Sequence, residues 1–233
     1  MNRALLFDLD HTLYDAALFY RGAFRDIAEH LARRHGRTAV PLSEALFGLW
    51  RRLTSAHPRL FDCFLEEEGL PLDETPALID ILHRHRPLLE LYPDAAGLIE
   101  AARAAGTRLG IITDGHGMMQ RNKVRALGLH DHFEPIVFTA DHGGSWRKPS
   151  PFAFTLACRA LGVRPEEAIY VGDNPHVDGA AAFAAGIPAV RLLRGEYRDH
   201  HPPQERLFVA EIEALDGLHR RRFPARPRLD RAG

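Results

Sequence analysis

Two carboxylates one residue apart, Asp8 and Asp10, stand directly after a short apolar run, Ala4-Leu5-Leu6-Phe7. That run reads as a buried strand, too short to be a helix. In an extended chain, side chains two positions apart point to the same side, so Asp8 and Asp10 begin on one face. Like charges held this close repel, and a bound cation is the ordinary remedy. Short, hard, oxygen-bearing aspartates suit Mg²⁺. An Asp-x-Asp alone is more often a mere polar turn after a strand, so the rest of the chain has to decide.

The elements around it repeat the pattern. Leu109-Gly110-Ile111-Ile112 is a second apolar run, ending in Thr113-Asp114-Gly115, and Ala168-Ile169-Tyr170-Val171 is a third, ending in Gly172-Asp173. Ile136-Val137-Phe138 and Ala189-Val190-Arg191-Leu192-Leu193 are further strands, with helical periodicity between them. Lys148-Pro149 lies in the loop after one of these strands and just before a helix over Phe152 to Leu161. Apolar strands alternating with helices predict an α/β fold, a Rossmann-like parallel sheet with helices on both faces. Ligands in such sheets sit beyond the carboxyl ends of the strands. Three strands ending in short polar groups, plus a lysine beside them, therefore predict one convergent site.

Between Tyr14 and Pro87 the texture is helical throughout. Helices are expected from about Ala17 to Gly36, after a Ser43 cap, from Leu60 to Gly69, and from about Asp73. The reading is a core of residues 1–14 and 89–198, a small all-helical cap at 15–88, and a C-terminal helix with an Arg/Pro-rich tail at 199–233. Thirty basic against 31 acidic residues, pI about 6.9, give no footprint for nucleic acid. No apolar run approaches a membrane span, and the N-terminus lacks the apolar core of a secretory signal. Cys63 and Cys158, far apart in expected helices, read as small core hydrophobes. A cytoplasmic protein is expected, monomer or homodimer, whose partner is a small molecule.

The motifs resemble the haloacid dehalogenase superfamily, in particular its capped, magnesium-dependent phosphatases. Asp8-x-Asp10-x-Thr12, Thr113, Lys148-Pro149, and Gly172-Asp173 with Asp178 five residues on from Asp173 occur in that order, and the resemblance extends to about Arg198. It implies Asp8 as the nucleophile that forms an aspartyl-phosphate, and Asp10 as the acid and base. It implies Mg²⁺ held by the Asp8 carboxylate, the Asp10 carbonyl and Asp173, with the phosphoryl group on Thr113, the amides of Asp114 and Gly115, and Lys148. Asp178 would fix Lys148 or a metal-bound water. The expected activity is hydrolysis of a small phosphorylated metabolite: a nucleotide, phosphoglycolate or a sugar phosphate. A phosphomutase, a haloacid dehalogenase and a non-catalytic binding protein are the alternatives; Asp10 argues against the dehalogenase, because halide leaves without a proton.

Two features depart from the family pattern. His11 occupies a position usually held by a small or polar residue, and alternation aims it away from the carboxylates. The loop before Lys148, with Gly143-Gly144-Ser145-Trp146-Arg147, is long. Tyr14, Phe19 and Tyr20 are candidate pocket residues, with packing inside the cap as the alternative. Arg21, Arg25, Arg51 and Arg52 could read a second anion or simply be solvated. The histidines of His83-x-His85, His130-x-His132 and His200-His201 lack a third ligand at zinc spacing.

Overall fold

The computed structural model describes residues 3–54, 57–221 and 223. Among them are six strands: β1 (Ala4–Phe7), β2 (Arg108–Thr113), β3 (Ile136–Phe138), β4 (Ala168–Gly172), β5 (Ala189–Leu192) and β6 (Ala210–Ile212). They form one parallel sheet in the order β3-β2-β1-β4-β5-β6. This is the doubly wound order in which the chain leaves β1 in both directions, and ligands belong outside the carboxyl ends at that switch point. Phe7 on β1 lies level with Ile111 on β2 and Val171 on β4. Asp8 therefore emerges one residue past that level, and Thr113 and Asp173 two residues past it.

Eight α-helices are described: α1 (Ala16–His35), α2 (Ala39–Leu53), α3 (Leu60–Glu68), α4 (Thr75–Arg84), α5 (Pro93–Ala104), α6 (Gly117–Ala126), α7 (Phe152–Leu161) and α8 (Asp178–Ala184). The strands are apolar on both faces because helices cover both. On one face Leu6, Ile112, Val137 and Tyr170 pack with Phe154 and Ala157 of α7 and Ala181 and Ala182 of α8. Leu5, Phe7, Ile111 and Val171, on the alternate positions, are as fully buried. Gly110 lets β2 approach its neighbours, since a Cβ there would lie 2.8 Å from the Leu6 side chain and 3.2 Å from the Pro135 carbonyl.

The described residues divide into two compact units: those within 3–15, 91–117 and 128–223 form the sheet unit, and those within 16–90 and 118–127 form a helical unit. Most of α6, which the sequence places in the core, thus groups with the helical segment. The helical unit has its own core, with Phe24, Ile27 and Leu31 of α1 against Leu46, Phe47 and Trp50 of α2, Phe64 and Leu65 of α3, and Leu78 of α4. Glu74, buried beside α4, accepts hydrogen bonds from Arg34 Nε at 2.7 Å, and lies 2.9 Å from His35 Nε2 and 3.2 Å from His30 Nε2.

Three expectations change. Ser43 does not cap α2: the helix starts five residues earlier, after Thr38, because Pro41 in the first turn has no N–H to leave unbonded. The expected C-terminal helix is absent among the described residues after 198, which form three-ten turns and β6. β6 escapes the sequence reading because three residues, one of them Glu211, carry no periodic signal. The Arg/Pro-rich tail beyond Phe223 lies outside the described residues.

Candidate active site

Asp8 is the first residue past β1, and its N–H donates to the Val171 carbonyl at 2.9 Å, tying it to the end of β4. Its carboxylate is buried and accepts a hydrogen bond from Lys148 Nζ at 2.5 Å. Lys148 donates also to Asp178 Oδ1 at 2.8 Å and to the Tyr170 hydroxyl at 3.1 Å. Asp178 opens α8, and its other oxygen accepts from the Asn174 N–H at 3.0 Å. Gly172 is what permits this approach: a Cβ there would sit 2.2 Å from Asp178 Oδ2. The sheet unit thus gathers Asp8, Lys148, Asp178 and Tyr170 into one buried network at the carboxyl ends of β1 and β4.

Burial governs the charges. It lifts the Asp8 carboxyl to about 7; Lys148 opposes the rise, and Asp178 and Asp10 add to it. Asp173 is raised well above the usual carboxylate range, first by burial and then by the charges of Asp8 and Asp178. Burial works against the Lys148 charge as well, yet Asp178 and Asp8 outweigh it and hold the ammonium protonated. Buried carboxylates that resist ionisation mark a site built to receive positive charge.

Asp173 sharpens that point, because its buried Oδ2 has no hydrogen-bond partner. Among the described residues no three side chains of Asp, Glu, His or Cys make a ready-made metal cage. Mg²⁺ does not require one: it takes one or two carboxylates and fills its octahedron with waters and substrate phosphate. Two hard carboxylates, one with an orphaned oxygen, beside a single committed ammonium fit that ion.

The remaining expected residues fall as follows. Asp10 follows Leu9 and accepts a hydrogen bond from the Tyr14 hydroxyl, while Tyr14 is wholly buried. Thr113 ends β2 with its side chain buried. Asp114 turns its carboxylate to Thr139 Oγ1 at 2.7 Å and to the Lys148 N–H at 3.0 Å, bracing the turn after β2 against the loop that delivers Lys148. Gly115 has φ +128°, a conformation open to glycine and strained for other residues. Phe19 and Tyr20 lie in the helical unit: Phe19 sits edge-on to Tyr20 and His85, and Tyr20 stacks on Trp50 with centroids 4.7 Å apart.

His11 corrects the alternation argument. Its φ is +57°, so the chain has left the extended conformation, and its ring is buried against Gly195, where a Cβ would meet it at 2.2 Å. Tyr170 and Thr139 were missed. Tyr170 reads in sequence as one more core aromatic, although a hydroxyl in the middle of a fully buried strand is itself a signal. Thr139 gives none.

The family model of haloacid dehalogenase-like hydrolases matches residues 2–186. The chain belongs to the haloacid dehalogenase-like hydrolases. Within that family it is a phosphatase-type enzyme, 35% identical to the glyceraldehyde 3-phosphate phosphatase of Methanopyrus kandleri over 87% of this chain and 88% of the relative. It is 32% identical to the phosphoserine phosphatase of Thermus thermophilus over 83% and 89% of the two chains. It is also 31% identical to (S)-2-haloacid dehalogenase 1 of a Pseudomonas strain, over 93% of both. The HAD hydrolase YfnB of Bacillus subtilis, solved with magnesium, shares the fold with a TM-score of 0.70 at 23% identity, covering 94% of this chain and 97% of that one.

Proposed function

We propose that the enzyme is a magnesium-dependent phosphomonoester hydrolase acting on a small soluble metabolite. The observation that carries this is the buried Asp8 carboxylate at the switch point, hydrogen-bonded to Lys148 and flanked by the orphaned oxygen of Asp173. Asp8 attacks phosphorus and forms an aspartyl-phosphate, dividing one difficult hydrolysis into two easier steps. Asp10, held by the Tyr14 hydroxyl, protonates the leaving oxygen and then takes a proton from the attacking water. Thr113 and the amides of Asp114 and Gly115 bind the phosphoryl oxygens, and Lys148 stabilises the charge that develops there. Asp8, the Asp10 carbonyl and Asp173 would hold Mg²⁺, which when bound neutralises charge on the phosphoryl group.

Named phosphatases among the relatives include enzymes for glyceraldehyde 3-phosphate, phosphoserine and phosphoglycolate. All three are phosphomonoesters of two or three carbons, and this size class is the substrate we assign. The dehalogenase relative favours a second reading, hydrolytic removal of halide by the same Asp8. The Asp10–Tyr14 pair weighs against it, since a leaving halide needs no proton donor. The test is release of inorganic phosphate from glyceraldehyde 3-phosphate, phosphoserine and an aryl phosphate, with Mg²⁺ or EDTA, by wild type and Asp8→Asn. Metal-dependent release lost in Asp8→Asn is expected; halide release from a 2-haloacid without phosphate release would establish the second reading instead.

A further inference from the structure

The Lys148 ammonium has three N–H bonds, and the structure supplies three acceptors: Asp8 Oδ1 at 2.5 Å, Asp178 Oδ1 at 2.8 Å and the Tyr170 hydroxyl at 3.1 Å. Tyr170 closes a triangle, because its own O–H donates to Asp178 Oδ1 at 2.8 Å. A lysine side chain is a flexible stem bearing a rotating point charge. With Asp178 alone as anchor, the group could pivot about one hydrogen bond. With two anchors on one side, the third N–H has a single direction left, towards Asp8.

The tyrosine ring does not explain the tyrosine. It packs on Phe154 with centroids 4.7 Å apart, inside a cluster of apolar strand and helix residues. A phenylalanine would fill that space, while a buried hydroxyl costs free energy unless it is hydrogen-bonded. The backbone makes the same accommodation: a Cβ at Gly172 would lie 2.2 Å from Asp178 Oδ2 and 3.0 Å from Tyr170 Cε1. Burial and the Asp178 charge keep the Tyr170 phenol protonated, so it stays a donor to Asp178.

We propose that Tyr170 is the positioning residue of the catalytic lysine: with Asp178 it holds two N–H bonds of Lys148 so that the third is aimed at Asp8 and at the phosphoryl oxygen transferred there. The inference rests on the aspartyl-phosphate reading above. It assigns Tyr170 no contact with substrate. Its loss should therefore slow the chemical step and leave substrate binding alone, the pattern of an interaction that matters in the transition state.

The experiment measures kcat and KM per folded site for wild type, Tyr170→Phe, Asp178→Asn and the double variant, with Asp8→Asn as control. Tyr170→Phe should lower kcat about tenfold, equivalent to about 1.4 kcal/mol, with KM within about twofold. In the Asp178→Asn background the same substitution should change kcat by less than about twofold, because both residues act through one ammonium. Equal kcat for Tyr170→Phe and wild type, or independent multiplicative losses, would overturn the proposal. Turnover that survives Asp8→Asn would instead remove the aspartyl-phosphate reading. The Lys148 ammonium resonance in ¹⁵N-labelled protein decides the positioning itself without any substrate: it should be protected from exchange in wild type and lost in Tyr170→Phe, and its persistence in the variant would refute Tyr170 as an anchor.

Discussion

Burial and neighbouring like charge raise the carboxyls of both Asp8 and Asp173, and the sign of that shift gives a pH prediction. A carboxyl whose pKa is raised on folding binds protons more readily folded than unfolded. The contribution to stability is thus favourable at low pH and is lost as pH climbs from the ordinary 3.8 through about 7, where Asp8 ionises. A divalent cation relieves that loss by binding the ionised carboxylates, and metal binding releases their protons. Mg²⁺ should therefore raise the melting temperature more at pH 8 than at pH 5.5, read by thermal unfolding with Mg²⁺ against EDTA. Asp8→Asn should raise the metal-free melting temperature at pH 8 and reduce the gain from Mg²⁺. An equal Mg²⁺ effect at both pH values would contradict this assignment. Gly172 makes a second prediction at this scale. Gly172→Ala places a methyl group against Asp178 Oδ2, and phosphate release should fall at least about tenfold while the strand persists.

At the scale of elements, turns and side-chain clusters hold the pieces that deliver these residues. The brace from Asp114 to Thr139 and the Lys148 N–H links the ends of β2, β3 and the Lys148 loop. Thr139→Val removes a buried donor to a carboxylate and should cost about 1–3 kcal/mol of stability, measured by urea unfolding. No stability loss would show that the brace contributes nothing. In the helical unit, burial pushes Glu74 up, but hydrogen bonds from His30, Arg34 and His35 prevail and leave its carboxyl below 4.5. Its contribution is present above that value and disappears as pH falls through the lowered one. Glu74→Gln should destabilise the helical unit by about 2 kcal/mol at pH 7, with the difference from wild type shrinking as pH falls below 4.5. Hydrogen exchange in α1 and α4 reads this directly; a constant difference down to pH 3 would exclude the ionised Glu74 as its source.

Across the whole molecule, legibility followed how much of each signal is local. The strands β1 to β5 show in sequence because a two-sided buried sheet writes itself as apolar runs rich in Leu, Ile and Val. The polar residues at three of their ends, with Lys148 in the loop before α7, were equally plain, since each ends or follows an apolar run. Tyr170 was not, because its role exists only once Lys148 and Asp178 are beside it, 22 and 8 residues away. Thr139 was hidden for the same reason. His11 shows where periodicity fails: alternation presumes extended chain, and the backbone turns left-handed at that residue. Ser43 misled because a good capping residue also occurs inside a helix, and β6, with Glu211 at its centre, lacks the apolar run that marks β3 at the same length.

The central claim is that Asp8 carries the phosphoryl group during turnover. Rapid acid quenching of the enzyme with a radiolabelled phosphomonoester, followed by peptide mapping, tests it most directly. Label should appear on the peptide containing Asp8, require Mg²⁺, and be absent from Asp8→Asn. Turnover of the substrate with an unlabelled Asp8 peptide at every quench time, together with turnover by Asp8→Asn, would contradict the account.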